Sequence, residues 1–82
     1  MTDRDAHARH AQLVGANLRD HRTHAGLSQH QLGEQMDPPV RRNEVNAWEN
    51  GRRAPDARNL ERLAAALHCH WTDLYARRNN YA

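Results

Sequence analysis

What most constrains this chain is a shortage of strand-forming residues. Phe and Ile are absent, and Val14, Val40 and Val45 are its only valines. A sheet needs runs of β-branched and aromatic side chains in alternation, and no such run exists here. The apolar residues recur instead at helical spacing. Ala11, Val14, Leu18 and Ala25 fall three, four and seven apart, which predicts a first helix from about Asp5 to Ala25, stopped at Gly26. Ser28 reads as the N-cap of a short second helix through Met36, with Leu32 and Met36 one turn apart on its buried face. Asp37-Pro38-Pro39-Val40 cannot continue that helix, because proline lacks an N–H and restricts the residue before it. A third helix is expected from about Arg41 to Asn50, with Val45, Trp48 and Glu49 inward and Gly51 as its stop. Asp56 then caps a fourth helix that turns Leu60, Leu63, Ala64 and Leu67 inward, and Thr72 caps a last turn or two through about Arg78. The expected fold class is all-α, a compact bundle of five helices.

With 82 residues the chain is expected to form a single domain over 1–82, with 1–12 as an N-terminal extension of helix one and 79–82 as a frayed tail. The longest apolar run, Leu63 to Leu67, is far below the ~20 residues of a membrane span, so no membrane association is expected. The opening Thr2-Asp3-Arg4-Asp5 has no basic-then-apolar leader character. One cysteine, Cys69, can form neither an internal disulfide nor a multi-cysteine zinc site, which fits a reducing cytoplasm. All twelve basic residues are arginines, and they are unevenly placed. Residues 1–37 carry four Arg against five acids, whereas residues 38–82 carry eight Arg against five. A basic second half favours an anionic partner.

Two short helices separated by a tight break form a helix-turn-helix arrangement, here at helices two and three. Several stretches carry the likeness further. Asn17 to Gln29, with Ala25-Gly26-Leu27-Ser28-Gln29 at its end, resembles the opening of the lambda-repressor-like family, which includes phage repressors, Cro proteins and XRE regulators. Glu44-Val45-Asn46-Ala47-Trp48-Glu49-Asn50-Gly51-Arg52-Arg53-Ala54-Pro55 is similar to that family's third helix and its exit. Leu60 to Leu67, followed by Trp71-Thr72-Asp73-Leu74, is similar to its fourth and fifth helices. The likeness covers roughly residues 13–76. Three positions depart from the family form: the turn between helices two and three is two residues longer and contains Pro38-Pro39, Gly33 stands where Ala is usual, and His68 stands where Gly usually ends the fourth helix. The long turn admits two readings. Either Asp37 is an N-cap with Pro38 in the first helical turn, or Val40 fills a core position and the helix begins near Arg41. A small domain's need for a buried valine favours the second.

The resemblance implies a sequence-specific DNA-binding transcriptional regulator, a repressor, Cro-like or controller-type protein that binds a two-fold symmetric operator on double-stranded DNA as a homodimer. An antitoxin or adaptor-type protein-interaction module on the same fold is the alternative. A helical wheel turns Asn43, Asn46, Ala47 and Asn50 away from Val45, with Arg41 and Arg42 in the first turn. Arg pairs with guanine, Asn with adenine, and a methyl group contacts thymine in a major groove. The resemblance places the family's main base readers at Arg42, Asn43 and Ala47, and with Arg41 and Asn46 on the same displayed surface these are the candidate base readers. Ser28, Gln29, Asn50, Arg52 and Arg53 are the candidate phosphate contacts, which position a protein on DNA without reading it. The family pairs the positions of Arg22 and Glu49 as a structural ion pair between the first and third helices. Trp71, Leu74 and Tyr75 are the candidate dimer interface.

Seven histidines raise the question of a metal. His7 with His10, and His21 with His24, lie three apart, and His68-Cys69-His70 adds a thiol, but no four-ligand pattern is completed. Cys69 falls where the family carries a buried Val, so it reads as a small hydrophobe. A chain this small shows no orienting partner for a Cys–His catalyst. No metal, cofactor or enzymatic activity is expected.

Overall fold

The computed structural model describes residues 3–75, and among these it contains five helices and no strand. α1 spans Asp3–His24, α2 Gln29–Gln35, α3 Arg42–Glu49, α4 Ala57–Leu67 and α5 Trp71–Tyr75. The fifth helix was expected to reach about Arg78, with a frayed tail after it. Arg78 and residues 79–82 lie outside the described residues.

Each helix supplies side chains to one core: Val14 and Leu18 from α1, Leu32 from α2, Val45 and Trp48 from α3, Leu60, Leu63, Ala64, Ala66 and Leu67 from α4, and Leu74 from α5. Ala11 is buried at the near end of the α1 stripe. Ala25, placed on that stripe by its spacing, is exposed, because the helix has already ended and the chain is turning away. Where α1 crosses α3 there is no room for a side chain. A Cβ on Gly15 would stand 2.5 Å from the Trp48 carbonyl oxygen and 2.6 Å from that of Glu49. Asn17, also buried, donates from Nδ2 to the Leu74 carbonyl at 2.9 Å and so ties α1 to α5.

Three helix ends share one device. Gly26 (φ 75°) and Gly51 (φ 73°) adopt the left-handed conformation after α1 and α3, and His68 (φ 55°) does the same after α4. In each the next N–H bonds back across five residues, Leu27 to Arg22 O at 3.1 Å, Arg52 to Ala47 O at 3.0 Å and Cys69 to Ala64 O at 2.9 Å. This is the Schellman closure, which satisfies carbonyls that a helix end would otherwise leave bare. At the start of α2, Ser28 Oγ accepts from the Gln31 N–H at 3.0 Å while Gln31 Oε1 accepts from the Ser28 N–H at 2.8 Å, a reciprocal capping box. Asp56 caps α4 by accepting from the Asn59 N–H at 2.8 Å. Thr72 does not cap α5. The helix already begins at Trp71, His70 Nδ1 accepts from the Thr72 N–H at 3.3 Å, and Asp73 accepts from the His70 N–H at 3.1 Å. The imidazole performs the role expected of the hydroxyl.

The long turn takes the second of its two forms. Arg41 is the N-cap residue of α3, so Asp37 caps nothing and Pro38 lies outside the helix. Val40 packs half-buried against the core. Its N–H donates to the Gly33 carbonyl at 3.0 Å, and its own carbonyl presses on Gly33 where a Cβ would be. Gly33 and the two extra turn residues are therefore one adaptation: the longer turn folds back onto α2, and only a residue without a side chain admits it.

Candidate nucleic-acid interface

The inner face of α3 is fixed by Val45, Trp48 and Glu49, all buried, and this displays the opposite face. Arg41, Arg42 and Asn43 are exposed at its start, and Asn46 and Ala47 are half-buried farther along. Arg41, Arg42, Asn43 and Asn46 line one shallow surface concavity. Its walls carry two guanidinium groups, two amides and no carboxylate. Ala47 is not part of that lining, and its carbonyl is occupied by the Arg52 N–H.

Beneath this surface Glu49 collects donors from two other helices. Its side chain is fully buried. Arg22 on α1 reaches it with two prongs, Nε to Oε2 at 2.5 Å and Nη2 to Oε1 at 3.0 Å, and spends Nη1 on the Leu27 carbonyl at 2.7 Å. Gln29 on α2 donates to Glu49 Oε1 at 3.1 Å, and Arg19 Nε does so at 3.5 Å. Burial by itself would raise the Glu49 pKa. The Arg22 and Gln29 hydrogen bonds, the Arg22 charge and the Arg19 hydrogen bond together outweigh it and hold the carboxyl below its usual range. A buried carboxylate is stable only when donors surround it in this way.

The network continues outward to the display face. Asn46 Nδ2 donates to Gln29 Oε1 at 3.3 Å, Asn50 Nδ2 donates to Asn46 Oδ1 at 2.9 Å, and Arg19 Nη2 donates to Asn50 Oδ1 at 3.4 Å. Gln29, Asn46 and Asn50 are thus linked side chain to side chain. The Ser28 hydroxyl is exposed, and its oxygen is engaged in the α2 cap. Arg52 and Arg53 are exposed beyond Gly51. Arg53 is bound within the chain, its Nη2 lying 2.5 Å from Glu44 Oε2.

Three contributors were missed by sequence reasoning. Arg19 was visible in principle, since it lies three residues before Arg22 on the same helix face. Glu44 as the partner of Arg53, nine residues on, follows no helical spacing. Arg62 on α4 donates from Nε to the Asp37 carbonyl at 3.0 Å and from Nη2 to the Pro38 carbonyl. No pattern in the sequence connects α4 with that turn.

On another face Trp71 and Tyr75 are the exposed large hydrophobics among the described residues, their ring centroids 5.7 Å apart, beside Pro55, Ala57 and Leu60. Leu74, expected to join them at a dimer interface, is a core residue with no exposure, because it faces the helices on which α5 docks. Cys69 is half-buried against the core, and burial first, then the Asp73 charge, raises its pKa. Among the described residues no three His, Cys, Asp or Glu side chains are grouped to hold a metal, and no helix is long and apolar enough to cross a membrane.

In comparison with known families, a helix-turn-helix family model matches residues 18–74. Comparisons with curated proteins and with solved structures give no match.

Proposed function

The chain belongs to the helix-turn-helix family of the XRE and lambda-repressor type, a DNA-binding family, and from that premise we propose that it is a cytoplasmic, sequence-specific transcriptional regulator acting as a homodimer on a two-fold symmetric operator. The observation that carries this reading is the concavity at the start of α3, with Arg41, Arg42, Asn43 and Asn46 on a helix whose opposite face is locked into the core. The guanidinium and amide groups there match the acceptor and donor edges of guanine and adenine in a major groove. Ala47 would add a methyl contact.

Gripping falls to a separate set. Ser28 and Gln29 at the start of α2, and Asn50, Arg52 and Arg53 at the exit of α3, would hold the phosphates on either side of the groove. Gln29, Asn46 and Asn50 are bonded to one another, so a phosphate contact at Gln29 would also orient Asn46. One α3 reads only a few base pairs, too few for a useful ratio of specific to non-specific binding. A homodimer would double the site and set the half-sites about 34 Å apart. The exposed Trp71 and Tyr75 supply an apolar patch suited to that contact.

Selection of bound sequences from a random duplex pool tests the proposal. The expected result is a two-fold symmetric consensus. Binding without enrichment of any sequence would overturn sequence-specific reading, and no binding at low salt would leave the fold as a protein-interaction module.

A further inference from the structure

The turn that leads into α3 is held from outside itself. Pro38 and Pro39 have no N–H, so residues 37–39 can offer few internal partners to their own carbonyls. Two of those carbonyls, of Asp37 and Pro38, accept from the guanidinium of Arg62, through Nε at 3.0 Å and through Nη2. The remaining prong, Nη1, donates to Asn59 Oδ1 at 2.7 Å one turn earlier on α4, which sets the plane of the fork. On the other side the turn is bonded to α2 by the Val40 N–H and the Gly33 carbonyl. Arg41, the N-cap residue of α3, follows immediately and has no side-chain cap bond of its own. Where α3 starts is thus set by the turn, and the turn is fastened to α2 and α4.

We propose that Arg62 is a positioning residue for DNA reading: its guanidinium latches the Asp37–Pro38 segment to α4 and thereby fixes where Arg41, Arg42 and Asn43 stand on the displayed face. This rests on the DNA-binding reading above. The latch needs the planar fork. A lysine ammonium carries the same charge on a flexible stem and cannot span two successive carbonyls and an amide at once. A role as a plain cation toward phosphate would survive Arg62→Lys, whereas the latch does not.

The test uses the full chain as Arg62→Lys, Arg62→Ala and, for comparison, Arg58→Ala, which removes an exposed charge from the same helix. Amide chemical shifts and exchange are read first, without DNA. Both Arg62 variants should move the amides of Asp37 and of residues 40–43 and speed exchange at Val40, while Arg58→Ala leaves them in place. Affinity is then measured for the selected operator and for random duplex. Both Arg62 variants should lose about tenfold on the operator, the size of one weakened base contact, with random-duplex affinity changed far less. Full rescue by Arg62→Lys, or equal loss on operator and random DNA, overturns the latch in favour of a charge contact. Unchanged amides at Asp37 and residues 40–43 overturn it as well. If Arg62→Ala does not fold, Arg62→Lys decides alone. A wild-type chain that binds no duplex overturns the DNA reading, and the amide comparison still decides whether Arg62 holds the turn.

Discussion

His68 carries a conformational load that no other non-glycine residue among those described carries, a left-handed backbone at φ 55° with its side chain exposed. A Cβ in that region costs about 1–2 kcal/mol, partly offset because glycine loses more chain entropy on folding. His68→Gly should therefore stabilise the fold by roughly 0.5–1 kcal/mol, read as a higher urea midpoint with unchanged slope. An unchanged or lower midpoint would mean that the imidazole makes a stabilising contact. Glu49 bears an electrostatic load. Its folded pKa lies below the ordinary value near 4.5, so the stability it contributes is fully present above that value and is lost as pH falls through the lowered one. The stability gap between the wild type and Glu49→Gln should be largest at neutral pH and should narrow in acid. A gap that stays constant down to pH 3 would show that Glu49 is not held ionised. Arg22→Ala and Glu49→Ala should each destabilise, and a double-mutant cycle should reveal coupling of about 0.5–3 kcal/mol, because each leaves the other's charge poorly compensated.

At the scale of elements, α3 and its exit loop divide reading from gripping. Arg42→Ala or Asn43→Ala should cost about 1–3 kcal/mol per half-site on the cognate operator and relax preference at one base pair. Arg52→Ala should instead weaken cognate and random DNA alike and flatten the slope of log affinity against log salt by about one unit, since one fewer counterion is released. Arg53 differs from Arg52 because Glu44 holds it at 2.5 Å. To grip a phosphate it must leave that carboxylate, whose own charge repels the backbone. Glu44→Gln is thus expected to tighten binding to both duplexes, with little change in stability because the pair is largely exposed. Binding measured across a salt series checks this, and weaker or unchanged affinity would show that the pair persists on DNA. That the two arginines differ could not be read from Gly51-Arg52-Arg53, because the partner is supplied by the return of the chain past α3.

For the molecule as a whole, the outstanding quantity is its oligomeric state. Trp71 and Tyr75 are exposed to 40% and 48% and pack edge to face on one another, so together they present an aromatic patch. Trp71→Ala combined with Tyr75→Ala should shift a dimer toward monomer in sedimentation and weaken operator binding far more than half-site binding. A wild type that sediments as monomer both free and on operator would remove the patch from the interface. Leu74→Ala asks a different question. Leu74 is a core residue, so its truncation should cost about 2–5 kcal/mol of stability and bears only indirectly on association.

The all-helical class, the order of the five helices, the helix-turn-helix at α2 and α3, and the inward face of α3 are legible in the residue order. Those properties depend on residues a few positions apart: helical spacing, capping boxes, glycine stops and proline breaks are local, and local physics is written in order along the chain. Packing in three dimensions settled how the long turn runs, because the choice between its two forms depended on Val40 finding a place beside Gly33 and on Arg62 reaching the Asp37 and Pro38 carbonyls from another helix. It also decided that Leu74 faces inward, that His70 and not Thr72 opens α5, and that Glu49 collects donors from Arg19, Arg22 and Gln29. Each of these is a pairing between groups far apart in sequence. Such pairings are set by where buried volume and unsatisfied hydrogen-bonding groups meet in space, and linear spacing does not encode them.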